Sequence, residues 1–64
     1  MIERYDVRIE KLVYGGDGLA RLDEKRTLFV SGALPGEFVR ARVYRKRKGI
    51  YEARVEEVLE PSPD

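Results

Sequence analysis

The feature that most constrains this chain is a cluster of glycines set between runs that alternate with a period of two. Tyr14-Gly15-Gly16-Asp17-Gly18 crowds three glycines into four positions. Tyr5, Val7 and Ile9 alternate with Asp6, Arg8 and Glu10 before it, and similar runs follow it. Glycines so dense mark a tight turn and break any helix, while period-two alternation suits half-buried strands. The pattern predicts strands at residues 5–9, 19–22, 27–31, 38–44 and 51–55, with Gly49 ending the fourth. Asp23-Glu24-Lys25-Arg26 and Gly32-Ala33-Leu34-Pro35-Gly36 read as reversals. Val58 falls out of phase with Val55, which predicts a bulge or a strand end near Glu57. Pro61-Ser62-Pro63-Asp64 cannot continue a ladder. The expectation is therefore an all-β domain over residues 1–60, a small five-stranded antiparallel barrel, closed or nearly so, with residues 61–64 starting a linker.

Size and composition narrow the chemistry. Sixty-four residues make one small domain with a thin core. Cysteine and histidine are both absent, which removes disulfides, the usual zinc ligands and any Ser-His or Cys-His catalytic pair. The acids interleave with bases along strand faces, as ordinary surface pairs do, so the chain is not expected to be an enzyme. The lack of Asn, Gln and Cys, with 39% charged residues, leans toward the bias of thermophile proteins. Apolar runs are too short for a membrane-spanning helix or a signal peptide, and a cytoplasmic protein is the default expectation.

The net charge of +1 hides a segregation. Residues 1–31 sum to zero, residues 32–49 to +5 and residues 50–64 to −4. Arg40, Arg42, Arg45, Lys46, Arg47 and Lys48 supply the excess, and Tyr44 and Tyr51 flank the tetrad 45–48. Cations that track phosphates beside rings that stack on bases are the ingredients of single-strand binding. A solvated hairpin tip is the plainer alternative, with Glu52 and Glu56 pairing across the ladder with Arg42 or Arg40. Phe29 faces water if Leu28 and Val30 form the core, and is buried if they lie at a rim. Arg21 either stacks on a base or pairs with Asp23. The glycine cluster matches neither phosphate-loop pattern and reads as a plain turn, with Asp17 bonding to local backbone.

Taken in order, Gly15-Gly16-Asp17-Gly18-Leu19-Ala20-Arg21, Leu28-Phe29-Val30, Gly32-Ala33-Leu34-Pro35-Gly36-Glu37, the basic strand, Ala53-Arg54-Val55 and Leu59-Glu60-Pro61-Ser62-Pro63-Asp64 resemble a TRAM domain. The resemblance runs from about Tyr5 to Asp64. It implies a small OB-fold-like barrel that binds RNA. The Ala-Leu-Pro-Gly-Glu loop and the proline-rich exit are most similar to the amino-terminal domain of RNA (uracil-5-)-methyltransferases acting on rRNA or tRNA. In that family a further domain uses S-adenosylmethionine and a cysteine nucleophile, often beside an iron–sulfur cluster. The resemblance thus implies an accessory module with no cofactor of its own, partnered by RNA and by a catalytic domain in the same chain. A stand-alone RNA chaperone and a protein-interaction barrel with a patch of Phe29, Phe38 and Tyr51 are the alternatives. The RNA-binding residues it implies are Arg21, Phe29, Tyr51 and the run Arg45, Lys46, Arg47 and Lys48, with Arg42 and Tyr44 behind them.

Overall fold

The structure, a computed structural model, describes residues 2–13 and 15–62. Tyr14 of the glycine turn and Pro63-Asp64 of the exit lie outside the described residues. Among the described residues six strands form: β1 (Arg4–Arg8), β2 (Lys11–Leu12), β3 (Gly18–Arg21), β4 (Thr27–Ser31), β5 (Phe38–Arg47) and β6 (Ile50–Glu60). The all-β expectation stands. The strand the sequence did not show is β2, which at two residues is too short to display alternation.

The strands make one sheet in the order β1-β5-β6-β4-β3-β2. Here the expected antiparallel barrel needs correcting. β4 and β6 run parallel, with Leu28 beside Tyr51 and Val30 beside Ala53. The β5–β6 hairpin folds back so that β6, not β5, lies next to β4. Residues 32–37 make the crossover this requires, and Ala33 from that loop is buried in the core. The ladder does not close into a barrel. Instead the chain itself spans the seam between the outermost strands. Ile9 donates its N–H to the Glu37 carbonyl at 2.8 Å on the β5 side, and Glu10 donates to Leu19 O at 2.8 Å on the β3 side.

Alternation places Val7, Ala20, Leu28, Val30, Val39, Ala41 and Ala53 inside with Ile9 and Ala33. Four alanines among nine core residues leave little volume, so the strands approach closely. Gly18 shows how closely: a β-carbon there would lie 2.9 Å from Ile9 Cγ2 and 3.1 Å from the Ala33 β-carbon. Tyr5, Leu22, Val43, Tyr51 and Val55 pack around the rim. Glu37 is the one buried acid among the described residues, and its Oε1 accepts the Leu34 N–H at 2.8 Å, which holds the crossover loop.

Three register shifts interrupt the β5–β6 ladder, between Phe38 and Val39, Arg40 and Ala41, and Val43 and Arg45. The second leaves Glu56 as an extra residue in β6, which is the bulge that the phase change before Val58 predicts. The third leaves Tyr44 as an extra residue in β5, and no alternation announced it.

Candidate nucleic-acid interface

The Tyr44 bulge resets which side chains share the outer face. An unbroken strand would put Arg40, Arg42, Tyr44 and Lys46 on one side. With one residue inserted, Arg42 pairs with Arg54, Arg45 with Glu52 and Arg47 with Ile50, while Lys46 pairs inward with Tyr51. Arg42, Arg45 and Arg47 therefore line up outside, at a spacing of three and then two residues. Continuing across β6 and β4, Glu52 adjoins Phe29 and Ile50 adjoins Thr27; on β3, Leu19 and Arg21 complete the two rows.

Phe29 faces outward. Leu28 and Val30 are fully buried, and the phenyl ring between them is half-buried on the opposite side. Leu19, its partner on β3, is buried yet stands apart from the core cluster. The two side chains form a small apolar centre on an otherwise charged face. Arg21 stands beside them, exposed, and does not pair with Asp23. Asp23 instead binds Arg26, whose Nε donates to Oδ2 at 2.8 Å, and also accepts the Lys25 and Arg26 backbone N–H groups.

Tyr51 and Lys46 turn the other way, to the end of the fold that carries the β5–β6 hairpin. The Tyr51 ring is half-buried, with the Tyr5 ring 6.2 Å away and the cations of Arg26 and Lys46 at 5.8 and 5.6 Å. Lys46 Nζ donates to Glu3 Oε1, and Tyr5 Oη donates to Glu3 Oε2 at 2.9 Å. These bonds hold the Glu3 carboxyl below its usual range and push the Tyr5 phenol and the Lys46 ammonium up. The Tyr51 hydroxyl nearby and Asp23, which accepts from its Nε, raise the Arg26 guanidinium further. The two tyrosines that flank the basic run in sequence thus stand on different sides, and Tyr51 is already engaged. Phe38 lies at the other end of the fold, with the Arg8 guanidinium 5.2 Å from its ring centroid. Phe29, Phe38 and Tyr51 share no patch.

Ion pairing sorts the cations. Across β1, the start of β5 and the end of β6, Arg4 binds Glu56, Arg40 binds Asp6 and Glu57, and Arg8 binds Glu60. Arg47 Nη2 donates to Glu52 Oε2 at 2.9 Å. The expected pairing of Glu52 and Glu56 with Arg42 or Arg40 is therefore replaced by other partners. Among the described residues Lys11, Arg21, Lys25, Arg42, Arg45, Lys48 and Arg54 make no ion pair. One half of the outer surface is neutralised and the other keeps its positive charge, next to Phe29 and Tyr44. Arg54, which the sequence left among acids at 52 and 56, belongs to the second half. Its phase on β6 was the available signal. The Arg54 guanidinium lies over the Tyr44 ring, 5.2 Å from its centroid.

Among the described residues no helix is long and apolar enough to cross a membrane. No cluster of three or more metal-ligating side chains forms among the described residues.

An all-β fold of this size, with a carboxylate-poor, arginine-rich face built around an outward ring, has the make-up of a small nucleic-acid-binding module. The TRAM domain model matches residues 2–56, and the chain belongs to that family of RNA-binding domains. It is 50% identical over 62 residues to the 23S rRNA (uracil(1939)-C(5))-methyltransferase RlmD of Alkalilimnicola ehrlichii, covering 97% of this chain and 14% of that protein. The RlmD of Halomonas elongata is 48% identical over 59 residues, covering 92% and 12%. An uncharacterized RNA methyltransferase of Thermotoga maritima is 41% identical over 58 residues, covering 91% and 13%. The chain thus spans 12–14% of the length of these relatives, and it matches their amino-terminal part.

Proposed function

We propose that this chain grips single-stranded or unpaired RNA through its outer face, with Arg21, Arg42, Arg45, Arg47, Lys48 and Arg54 on phosphates and Phe29 and Tyr44 under bases. The observation that carries this is the sorting of charge. Acids neutralise the cations of β1, of the start of β5 and of the end of β6, yet of the arginines around Phe29 and Tyr44 they hold Arg47 alone and leave Arg21, Arg42, Arg45 and Arg54 without carboxylate partners. Tyr51 and Lys46 support the end of the fold on which this face rests.

The relatives' names favour an RNA methyltransferase as the protein in which the module works, with 23S rRNA as the substrate class; a substrate of that kind implies the cytoplasm as its place. Residues 1–60 are then the RNA-binding domain, and residues 61–64 lead toward the catalytic part. The chemistry of methyl transfer from S-adenosylmethionine falls outside this chain, which has no cysteine to act as nucleophile. An iron–sulfur cluster does not fit these residues either, since neither thiolate nor imidazole is present to ligate it.

A titration of a fluorescent RNA oligomer at several salt concentrations tests the proposal. Four or five engaged phosphates give a slope of log affinity against log salt of about −2.8 to −3.5 for a single strand. Binding that ignores salt would rule the mechanism out.

A further inference from the structure

Arg42 on β5 and Arg54 on β6 are paired across the ladder, and Arg4 on β1 continues the same row. Only Arg4 of the three has a carboxylate, Glu56, whose Oε2 accepts from Arg4 Nε at 2.6 Å. Like charges directly opposite each other weaken a sheet. Arg42 and Arg54 are a mismatch that an anion would resolve.

The bulge supplies the rest. Tyr44 is its extra residue, exposed beneath the Arg54 guanidinium. Ile2, Arg42, Val43, Tyr44 and Arg54 line an open recess of about 370 Å³. That volume is in the range of small-ligand sites, roughly 300–1,000 Å³, and bulges are over-represented where a strand re-aims a side chain at a site. The recess combines two guanidinium groups, one flat ring and an apolar wall from Ile2 and Val43.

We infer that this recess is a discrete nucleotide subsite, in which Arg42 and Arg54 share one phosphate of an RNA strand. Its base lies on the platform made by the Tyr44 ring and the Arg54 guanidinium. Phe29 stands on β4, with β6 between it and β5, so two strand spacings of roughly 10 Å separate it from Tyr44. The two rings receive different bases. The inference rests on the RNA-binding proposal and adds to it a shared phosphate and a second stacking position.

The experiment is a salt series with octauridylate on the whole chain and on the variants Arg42→Gln, Arg54→Gln, the double variant and Tyr44→Leu. Sharing one phosphate makes the two single variants and the double variant flatten the slope by the same amount, about 0.7. Tyr44→Leu is expected to lower affinity roughly 5- to 150-fold without changing the slope. Thermal unfolding checks that Arg42→Gln leaves the free protein no less stable. A double variant that flattens the slope by the sum of the singles overturns the shared phosphate. Tyr44→Leu binding like wild type overturns the stack. In both cases a salt-dependent wild type that loses affinity in Phe29→Leu leaves the broader RNA proposal standing. Wild type that fails to bind octauridylate at all overturns both. Uridine monophosphate binding the recess as tightly as the octamer would mark a free-nucleotide site and overturn a strand subsite.

Discussion

The Lys25 carbonyl oxygen occupies the space that a β-carbon on residue 49 would need. Gly49 has φ +75°, and a β-carbon there would lie 2.6 Å from that oxygen. The next bond of the same contact runs from Thr27 N–H to Gly49 O at 2.8 Å. The turn at 22–26 is thus clamped to the tip of the basic hairpin, which fixes where Lys48 and Arg47 project relative to Arg21.

Gly49→Ala is expected to destabilise the chain, because it combines a left-handed backbone with a clash against backbone. The conformational part alone costs about 1–3 kcal/mol. A lowered urea midpoint at unchanged m-value is the signature, and a wild-type midpoint would show that the two turns are not clamped.

Phe29→Leu keeps an apolar cover over Leu19 but removes the flat ring. RNA affinity is expected to fall by ~1–3 kcal/mol while the salt slope stays constant, because stacking releases no counterions. Fluorescence anisotropy at two salt concentrations separates these effects.

Glu52 is an acid on the face proposed to bind RNA, and it holds Arg47. Glu52→Gln is expected to tighten RNA binding and to steepen the salt slope by up to about 0.7, as Arg47 becomes available to a further phosphate. Arg40→Gln is the matched control: it lies in the neutralised half, so affinity should not change. An effect of Arg40→Gln equal to that of Arg45→Gln would mean that total charge, not its arrangement, sets binding.

The same sorting makes a prediction for the free protein. Replacing Arg42 with Gln removes a like-charge contact with Arg54 and is expected to stabilise the fold by ~0.2–1 kcal/mol. A gain of a few degrees in Tm accompanied by weaker RNA binding identifies a residue kept for ligand rather than for fold.

The pH profile follows from the paired groups. Glu3 and Asp23 titrate below their ordinary values of 4.5 and 3.8, Glu3 chiefly through Lys46 and Asp23 chiefly through the Lys25 N–H. A carboxyl lowered by folding adds stability that is full above its unfolded pKa and lost as pH falls through its folded one. Stability should therefore hold at neutral pH and decline on acidification from about pH 4.5 downward. Glu3→Gln should flatten that decline. Tyr5 and Lys46 are raised, so their contribution is present below their unfolded values of 10.0 and 10.5 and is lost as pH climbs above them. Urea midpoints between pH 2 and pH 11 read out both limbs.

Much of the fold was legible because alternation is a local property. Val7, Val39, Ala41 and Ala53 are buried where their phase put them, while phase left open whether Leu28 and Val30 or Phe29 would face the core. The outward Phe29 follows once Leu28 and Val30 are inside. The bulge at Glu56 was legible as a break in phase, whereas that at Tyr44 fell among polar residues, where no apolar rhythm exists to break.

Sequence alone determined an all-β chain with a run of cations on its longest hairpin. Tertiary structure decided which cations are left without a carboxylate partner. Arg4, Arg40 and Lys46 find carboxylates 52, 34 and 43 residues away, through pairings set by register and by the parallel placement of β6. A charge pattern read along the chain counts every arginine equally. Coulomb energy falls with distance through space, so only the folded sheet distinguishes Arg40, held between two acids, from Arg42, two residues on, which faces another arginine.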